Sequence, residues 1–199
     1  MFLIIDCETS GLPLWNQPFT NKYQPRVCQL ACMLLDREFK ELNSFCCLIQ
    51  SDGWVISEDA YTRHGITQEV CERYGLPITI VLSLFEQLMQ KADYIVAHNL
   101  KFDLFLMNIE LANAQKQLFD WETQGICTML ASTEFCRLPG KYGKYKWPKL
   151  EEVFKIITGE EHDKVHDALG DCRATAIVFG YLVQQKIINL DEFKTIVNN

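Results

Sequence analysis

The chain opens on five apolar residues, MFLII, and then places Asp6 and Glu8 one residue apart. An apolar run without polar alternation predicts a strand over 2–6, buried on both faces and central in a sheet. Residues 9–26, rich in Pro, Asn and Gln, predict a long loop. Val27–Leu35 and residues 39–50 read as two further strands joined by a polar turn at 36–38, an antiparallel meander. After Gly53 the apolar period becomes helical, with Ser57 and Thr67 as N-caps and apolar positions at helical spacing over 78–91. Tyr94–Ala97 predicts a short buried strand, 104–114 a helix behind it, and Gly125–Cys127 a last strand. Helices over 150–157 and 168–186 close the pattern. A meander followed by alternating helix and strand predicts an α/β fold: a mixed five-stranded sheet flanked by helices, with the first and fourth strands ending side by side.

No repeat, low-complexity tract or long linker divides the 199 residues, so one domain over 1–199 is expected. The 48% apolar content supports a full core, and no apolar run approaches the roughly 18 residues of a membrane span. The first strand starts at Phe2, which leaves no secretory leader and favours a cytoplasmic chain. Nine cysteines, an odd number without a C-x-x-C pair, read as small buried hydrophobes in a reducing compartment; Cys28, Cys32, Cys46 and Cys47 lie in apolar runs. Net charge is −7, which argues against a chain that coats nucleic acid by charge alone. The charge is uneven, however. Residues 137–149 hold five basic side chains and no acid, which leaves −12 on the rest.

Asp6 and Glu8, at i and i+2 of a strand, project to one face. Alone they favour a solvated strand end over half of a metal site. In YIVAHNLKFD a second buried strand ends at His98-Asn99, where Asn99 suits an N-cap and Asp103 suits the first helical turn. In EEHDKVHDALGDCRATA a histidine precedes an aspartate by five positions in two frames, His162–Asp167 and His166–Asp171. The second frame is preferred because Ala168 and Gly170 let a helix press on the sheet and deliver Asp171 inward. Asp163 and Asp167 then serve as solvated or capping groups. Four carboxylates gathered at strand ends and helix starts would repel unless cations neutralised them, and oxygen donors select Mg²⁺ or Mn²⁺. Two such ions about 3.5–4 Å apart suit a phosphodiester displacement, and His166 suits the deprotonation of water.

In this order, Asp6-x-Glu8, His98-Asn99-x-x-Phe102-Asp103 and His166-x-Ala168-x-x-Asp171 resemble the three motifs of the DEDDh 3′→5′ exonucleases. That group includes the proofreading epsilon subunit of bacterial DNA polymerase III, ribonuclease T and oligoribonuclease. The resemblance covers about 2–181, with a helical extension expected over 187–199. It implies a ribonuclease H-like fold, two metal ions, and release of nucleoside 5′-monophosphates from 3′ ends of single-stranded DNA or RNA. By motif position Asp6, Glu8, Asp103 and Asp171 would be metal ligands and His166 the general base. Thr9, Leu12 as an apolar wedge against the last base, Asn99 and Phe102 would contact substrate. RHGIT at 63–67, with His64 and Ile66, resembles a segment that lines the terminal-nucleotide site. Cys7 replaces a frequent threonine, with its side chain expected to point away from the metals.

Resemblance to the epsilon subunit favours DNA and includes association with a polymerase; an exoribonuclease and a non-catalytic binding module are the alternatives. In RLPGKYGKYKWPKL, Lys141 and Lys144 alternate with aromatic residues, a pattern for guiding a single strand, while Trp147 reads as core. His64 and His98 either touch substrate or are packed, hydrogen-bonded histidines. QKQLF at 115–119 only loosely resembles a sliding-clamp peptide and reads instead as a helix end with Leu118 and Phe119 buried.

Overall fold

A computed structural model describes residues 1–119, 125–163 and 167–190. Strands β1 (Phe2–Thr9), β2 (Val27–Leu35) and β3 (Glu41–Leu48) form the antiparallel meander; β4 (Tyr94–Ala97) and β5 (Gly125–Cys127) continue the sheet in parallel. The order is β3-β2-β1-β4-β5, so the apolar N-terminal strand is central and adjoins β4, as its sequence pattern predicts. The helices are α1 (Glu58–His64), α2 (Gln68–Tyr74), α3 (Ile78–Met89), α4 (Leu100–Asn113), α5 (Thr128–Cys136), α6 (Leu150–Thr158) and α7 (Ala168–Gln184). No helix among the described residues is long and apolar enough to cross a membrane.

Alternation along β1 builds two cores. Leu3, Ile5 and Cys7 pack with Val81, Leu82 and Phe85 of α3 and Leu104 and Met107 of α4. Phe2 and Ile4 pack on the other face with Val153 of α6 and Cys172, Val178 and Phe179 of α7. Asp6 and Glu8 continue this second row, so strand periodicity aims both carboxylates towards the start of α7. The α7 backbone can come close because Ala168 and Gly170 are small, and the Cys172 thiol reaches the carbonyls of Ile4 and Ala31 at 3.9 and 3.6 Å.

Several boundaries differ from the sequence reading. β1 runs to Thr9, because Asp6 to Thr9 pair with β2 through Ala31, Gln29 and Val27. α4 begins at Leu100 rather than 104, and α5 has no counterpart in the apolar pattern, since its buried positions are Thr128 and Ser132. Ser57 and Thr67 cap α1 and α2 as expected, each accepting a backbone N–H three residues on. Asn99 stands before α4 but adopts φ 78°, ψ 47° and makes no side-chain cap. Residues 187–188 form a bend with Ile188 buried, Leu190 is helical, and 191–199, on which most of the expected helical extension falls, lie outside the described residues. Trp147 is 66% exposed, and buried Pro148 rather than Trp147 packs at the entry to α6. Leu118 is exposed, while Phe119 packs partly on the core. All nine cysteines are free thiols, with Cys46 exposed and Cys47 half-buried because β3 lies at the sheet edge.

The end of α2 is fastened to β3 through Gly75. Leu76 exchanges main-chain bonds with Leu48 and Gln50, and a Cβ at Gly75 would stand 2.4 Å from Cys71 O and Gln50 N. Backbone cannot yield there as a flexible side chain would. Gly75→Ala is therefore expected to destabilise the fold by about 2–3 kcal/mol or more, read as a lower denaturant midpoint at unchanged slope.

Candidate active site

Strand β1 overruns β4. The parallel pairing covers only Phe2, Leu3 and Ile4 against Tyr94, Ile95 and Val96. β4 then stops, Asn99 turns the chain in the left-handed region, and α4 starts over the exposed flank of β1. There the Cys7 N–H donates to Asp103 Oδ1 at 3.0 Å. A carboxylate thus replaces the missing strand as acceptor, and Asp103, 3% exposed, is brought against the row that holds Asp6 and Glu8.

On the other flank the β1–β2 register shifts between Glu8, opposite Gln29, and Thr9, opposite Val27. The extra residue on β2 is a bulge, a device that bends a strand and re-aims side chains. Asp171 arrives in the first turn of α7, whose N-cap Asp167 accepts the Gly170 N–H. One ligand oxygen each from Asp6, Glu8 and Asp171 lies within 4.8 Å of the others. Cys7 points to the opposite core, as expected of the residue between the two acids.

The electrostatics of this cluster are adverse. Burial first, then the charges of Asp103, Asp171, Glu8 and Asp167, push the Asp6 carboxyl well above the usual carboxylate range. Burial and then Asp171 and Asp103 push Glu8 up to about 8, with Arg63 opposing. Asp103 is pushed up to about 8, chiefly by burial, against the lowering effect of hydrogen bonds from Cys7. Asp6, Glu8 and Asp103 have no ion pair among the described residues. An all-oxygen donor set this crowded and this poorly neutralised fits one or more hard divalent cations.

His166, the expected base, lies outside the described residues, together with 164 and 165. His162 is close by: its Nε2 stands 2.5 Å from Asp171 Oδ1, and its ring lies against Phe154. Spacing alone pairs His162 with Asp167; the fold brings it to Asp171 instead.

The expected substrate contacts divide into two groups. Leu12 is 75% exposed at the tip of the loop after β1, beside a cavity of about 330 Å³ lined by Tyr23, Trp54 and Val55. Ile66 and Phe102 are half-buried, and Lys141 and Lys144 are exposed with no ion pair among the described residues. Other positions are already engaged. Thr9 donates to Gly11 O, His64 Nε2 lies 3.1 Å from Thr9 O, and His64 Nδ1 accepts the Ile66 N–H. Both His98 nitrogens are taken, by Thr128 Oγ1 and Pro148 O, each at 3.0 Å. Asn99 lines a second cavity of about 610 Å³ beside β5, away from the carboxylates, with Met129, Leu130 and Trp147. Within the basic segment Lys146 pairs with Glu152 and Lys149 with Glu151, so its charge is less free than the sequence suggests. Tyr142 stands 97% exposed between Lys141 and Lys144 at the turn of a small hairpin closed by Pro139 and Tyr145.

Sequence reasoning missed Gln24, Arg26 and Glu110, which organise the loop bearing Leu12. The available signal was Glu110, a lone acid seven residues after Asp103 within an apolar helix. That spacing puts both acids on one helical face.

A family model described as Exonuclease matches residues 3–179. The 3′-5′ exonuclease DinG of Bacillus subtilis (strain 168) is 30% identical over 182 residues, covering 89% of this chain and 17% of that protein. Exonuclease I of E. coli, solved in complex with a dT13 oligonucleotide, superposes with a TM-score of 0.75 at 19% identity, over 93% of this chain and 41% of that one. Exonuclease X in complex with 5′ overhanging duplex DNA superposes at 0.66 and 22% identity, over 98% and 99% of the two chains. This chain thus spans about a sixth of the DinG sequence and two fifths of exonuclease I. The mixed sheet with flanking helices is the ribonuclease H-like fold.

Crowded carboxylates have a cost for stability. A carboxyl held near 8 in the fold, against an ordinary value of about 4 when unfolded, loses stability as pH rises between those values, and the loss is complete above 8. Asp103→Asn keeps an acceptor for Cys7 while removing one charge. At pH 9 with chelator it is expected to melt about 2–4 °C above the parent chain, equivalent to about 1 kcal/mol, and to gain less from added Mn²⁺. Thermal scans with and without Mn²⁺ check both.

Proposed function

The chain belongs to the exonuclease family, and from that premise we propose that it hydrolyses the terminal phosphodiester of single-stranded DNA from the 3′ end, releasing nucleoside 5′-monophosphates. The observation that carries this reading is the convergence of Asp6, Glu8 and Asp171 within 4.8 Å, with Asp103 bonded to the same strand. Four acids from three separate segments meet at one strand end. A binding module would have no use for such mutual repulsion.

Asp6, Glu8, Asp103 and Asp171 would hold two Mg²⁺ or Mn²⁺ ions in this reading, and bound there the ions would supply positive charge for the phosphodiester and the attacking water. His166, two residues before α7 in sequence, takes the proton from that water. The water oxygen bonds to phosphorus, the P–O3′ bond breaks, and the departing 3′ oxygen acquires a proton. Leu12 packs on the last base, and Lys141, Tyr142 and Lys144 receive the strand upstream, charge on phosphate and ring on base. The DNA bound by exonucleases I and X supports deoxyribose over ribose. One observation favours a second assignment of the base: His162 already lies against Asp171.

Asp6→Ala and Asp103→Ala are expected to lower turnover on single-stranded DNA by roughly a thousandfold or more in folded protein, and chelator to abolish it. Retained activity in either variant rejects the ligand set. His166→Ala is expected to cost about 10²–10⁴-fold and His162→Ala much less. The reverse order transfers the base to His162. Single-stranded RNA cleaved faster than DNA of the same sequence identifies an exoribonuclease, and mononucleotide release from neither leaves a binding module.

A further inference from the structure

We propose that Arg26 and Glu110 are positioning residues for the substrate-facing loop after Glu8, and that Gln24 shapes the remainder of that loop. The proposal rests on reading the carboxylate cluster as a nuclease site.

Glu110 is 1% exposed, although it is an acid on a helix packed against the core. Its carboxylate accepts from Arg26 Nε at 2.9 Å, from Arg26 Nη2 at 2.7 Å, and from the Val27 N–H at 2.9 Å. Val27 is the residue at which the β1–β2 register slips. The carboxylate therefore satisfies a main-chain donor at the bulge, as Asp103 does for Cys7 one face-repeat earlier on α4. Helix α4 grips both strands of the site through two acids seven residues apart.

The grip extends into the loop. Arg26 exchanges two bonds with Ser10, its carbonyl accepting from Ser10 N–H and its N–H donating to Ser10 Oγ, both at 2.8 Å. Ser10 O in turn accepts the N–H of Ser57, the N-cap of α1. Two residues beyond Ser10 is Leu12, too exposed for packing to hold it in place. Gln24, itself buried, accepts from Leu14 N–H and donates to the carbonyls of Leu14, Gln17 and Pro18 at 3.0–3.3 Å. Its other neighbours place it against the small cavity beside Leu12.

Desolvation offsets most of the Coulomb gain of a buried ion pair, so stability alone is a weak reason for one here. A planar guanidinium forked on a carboxylate fixes direction, and with it the main chain at residue 26. Fixing the loop before substrate arrives removes an ordering cost from binding. The effect belongs to engagement of the nucleic-acid end, not to chemistry at the metals.

The test compares two substrates in Mn²⁺: oligo(dT), which needs the loop, and bis(p-nitrophenyl) phosphate, a diester without base or sugar. Glu110→Ala is expected to raise KM for oligo(dT) about tenfold, with kcat and diester hydrolysis within about twofold of the parent chain. Glu110→Gln, which still accepts the Val27 N–H, should fall between the two. Gln24→Ala, which removes only contacts within the loop, should give the same KM-selective loss and carries the test if Glu110→Ala fails to fold. Equal loss on both substrates in folded variants, or an unchanged KM for oligo(dT), overturns the positioning role and leaves the exonuclease reading standing. Parent protein that cleaves oligo(dT) but not the diester is judged on the KM–kcat split alone. Parent protein that cleaves neither overturns the exonuclease reading, and this proposal with it.

Discussion

A peptide N–H inside a protein must find an acceptor, and the N–H of Cys7 has lost its strand. β4 runs beside β1 for only three residue pairs, after which the flank of β1 lies open. Asp103 fills the gap by accepting that N–H. Much else follows from this one bond. It sets the start of α4 above the end of β1, draws a third acid to Asp6 and Glu8, and leaves α7 to approach from the opposite face with Asp171. The central strand, paired on both flanks and packed by a core on each face, is also the floor of the site, so the acids rest on backbone held from every side.

That arrangement trades stability for chemistry. Asp6, Glu8 and Asp103 are all pushed above the usual carboxylate range, with burial as the largest cause in each case. Such strain persists only where the surrounding structure over-determines it, and two complete hydrophobic cores clasp β1 from either side. By contrast Glu110, equally buried, is fully compensated by Arg26 and the Val27 N–H. One helix thus carries two interior acids of opposite character, one neutralised from within the chain and one left for a cation.

The central strand, the meander and the four motif acids are legible in the sequence because each leaves a strong local mark: an unbroken apolar run, a polar turn, an acid at a strand end or a helix start. Helix α5 left none, since Thr128 and Ser132 are the residues it buries. The apolar pattern alone starts α4 at 104 because Lys101 and Asp103 interrupt it, although Asn99 and Asp103 suit a cap and a first turn; the structure starts the helix at Leu100 without a side-chain cap from Asn99. Trp147 was read as core from its chemistry alone, yet the fold leaves it on the rim of the cavity beside β5. The contact of His162 with Asp171, nine residues apart, is a tertiary pairing that spacing does not encode. Pairings between distant segments, such as Arg26 with Glu110, are invisible until topology brings them together.

Every hydrogen bond of the Gln24 side chain ends on main chain: one N–H and three carbonyls within residues 14–18. A scaffold of this kind is indifferent to the identity of the side chains it holds. Exposed Asn16 can be exchanged while the amide at position 24 holds the loop, whereas Trp15 also packs on Phe105 and Gln17 accepts from the Asn21 side chain. The outward surface beside Leu12 therefore rests on a main-chain frame, so that in the proposed reading its outermost side chains can change the preference for one nucleic-acid end over another while the buried acids stay untouched.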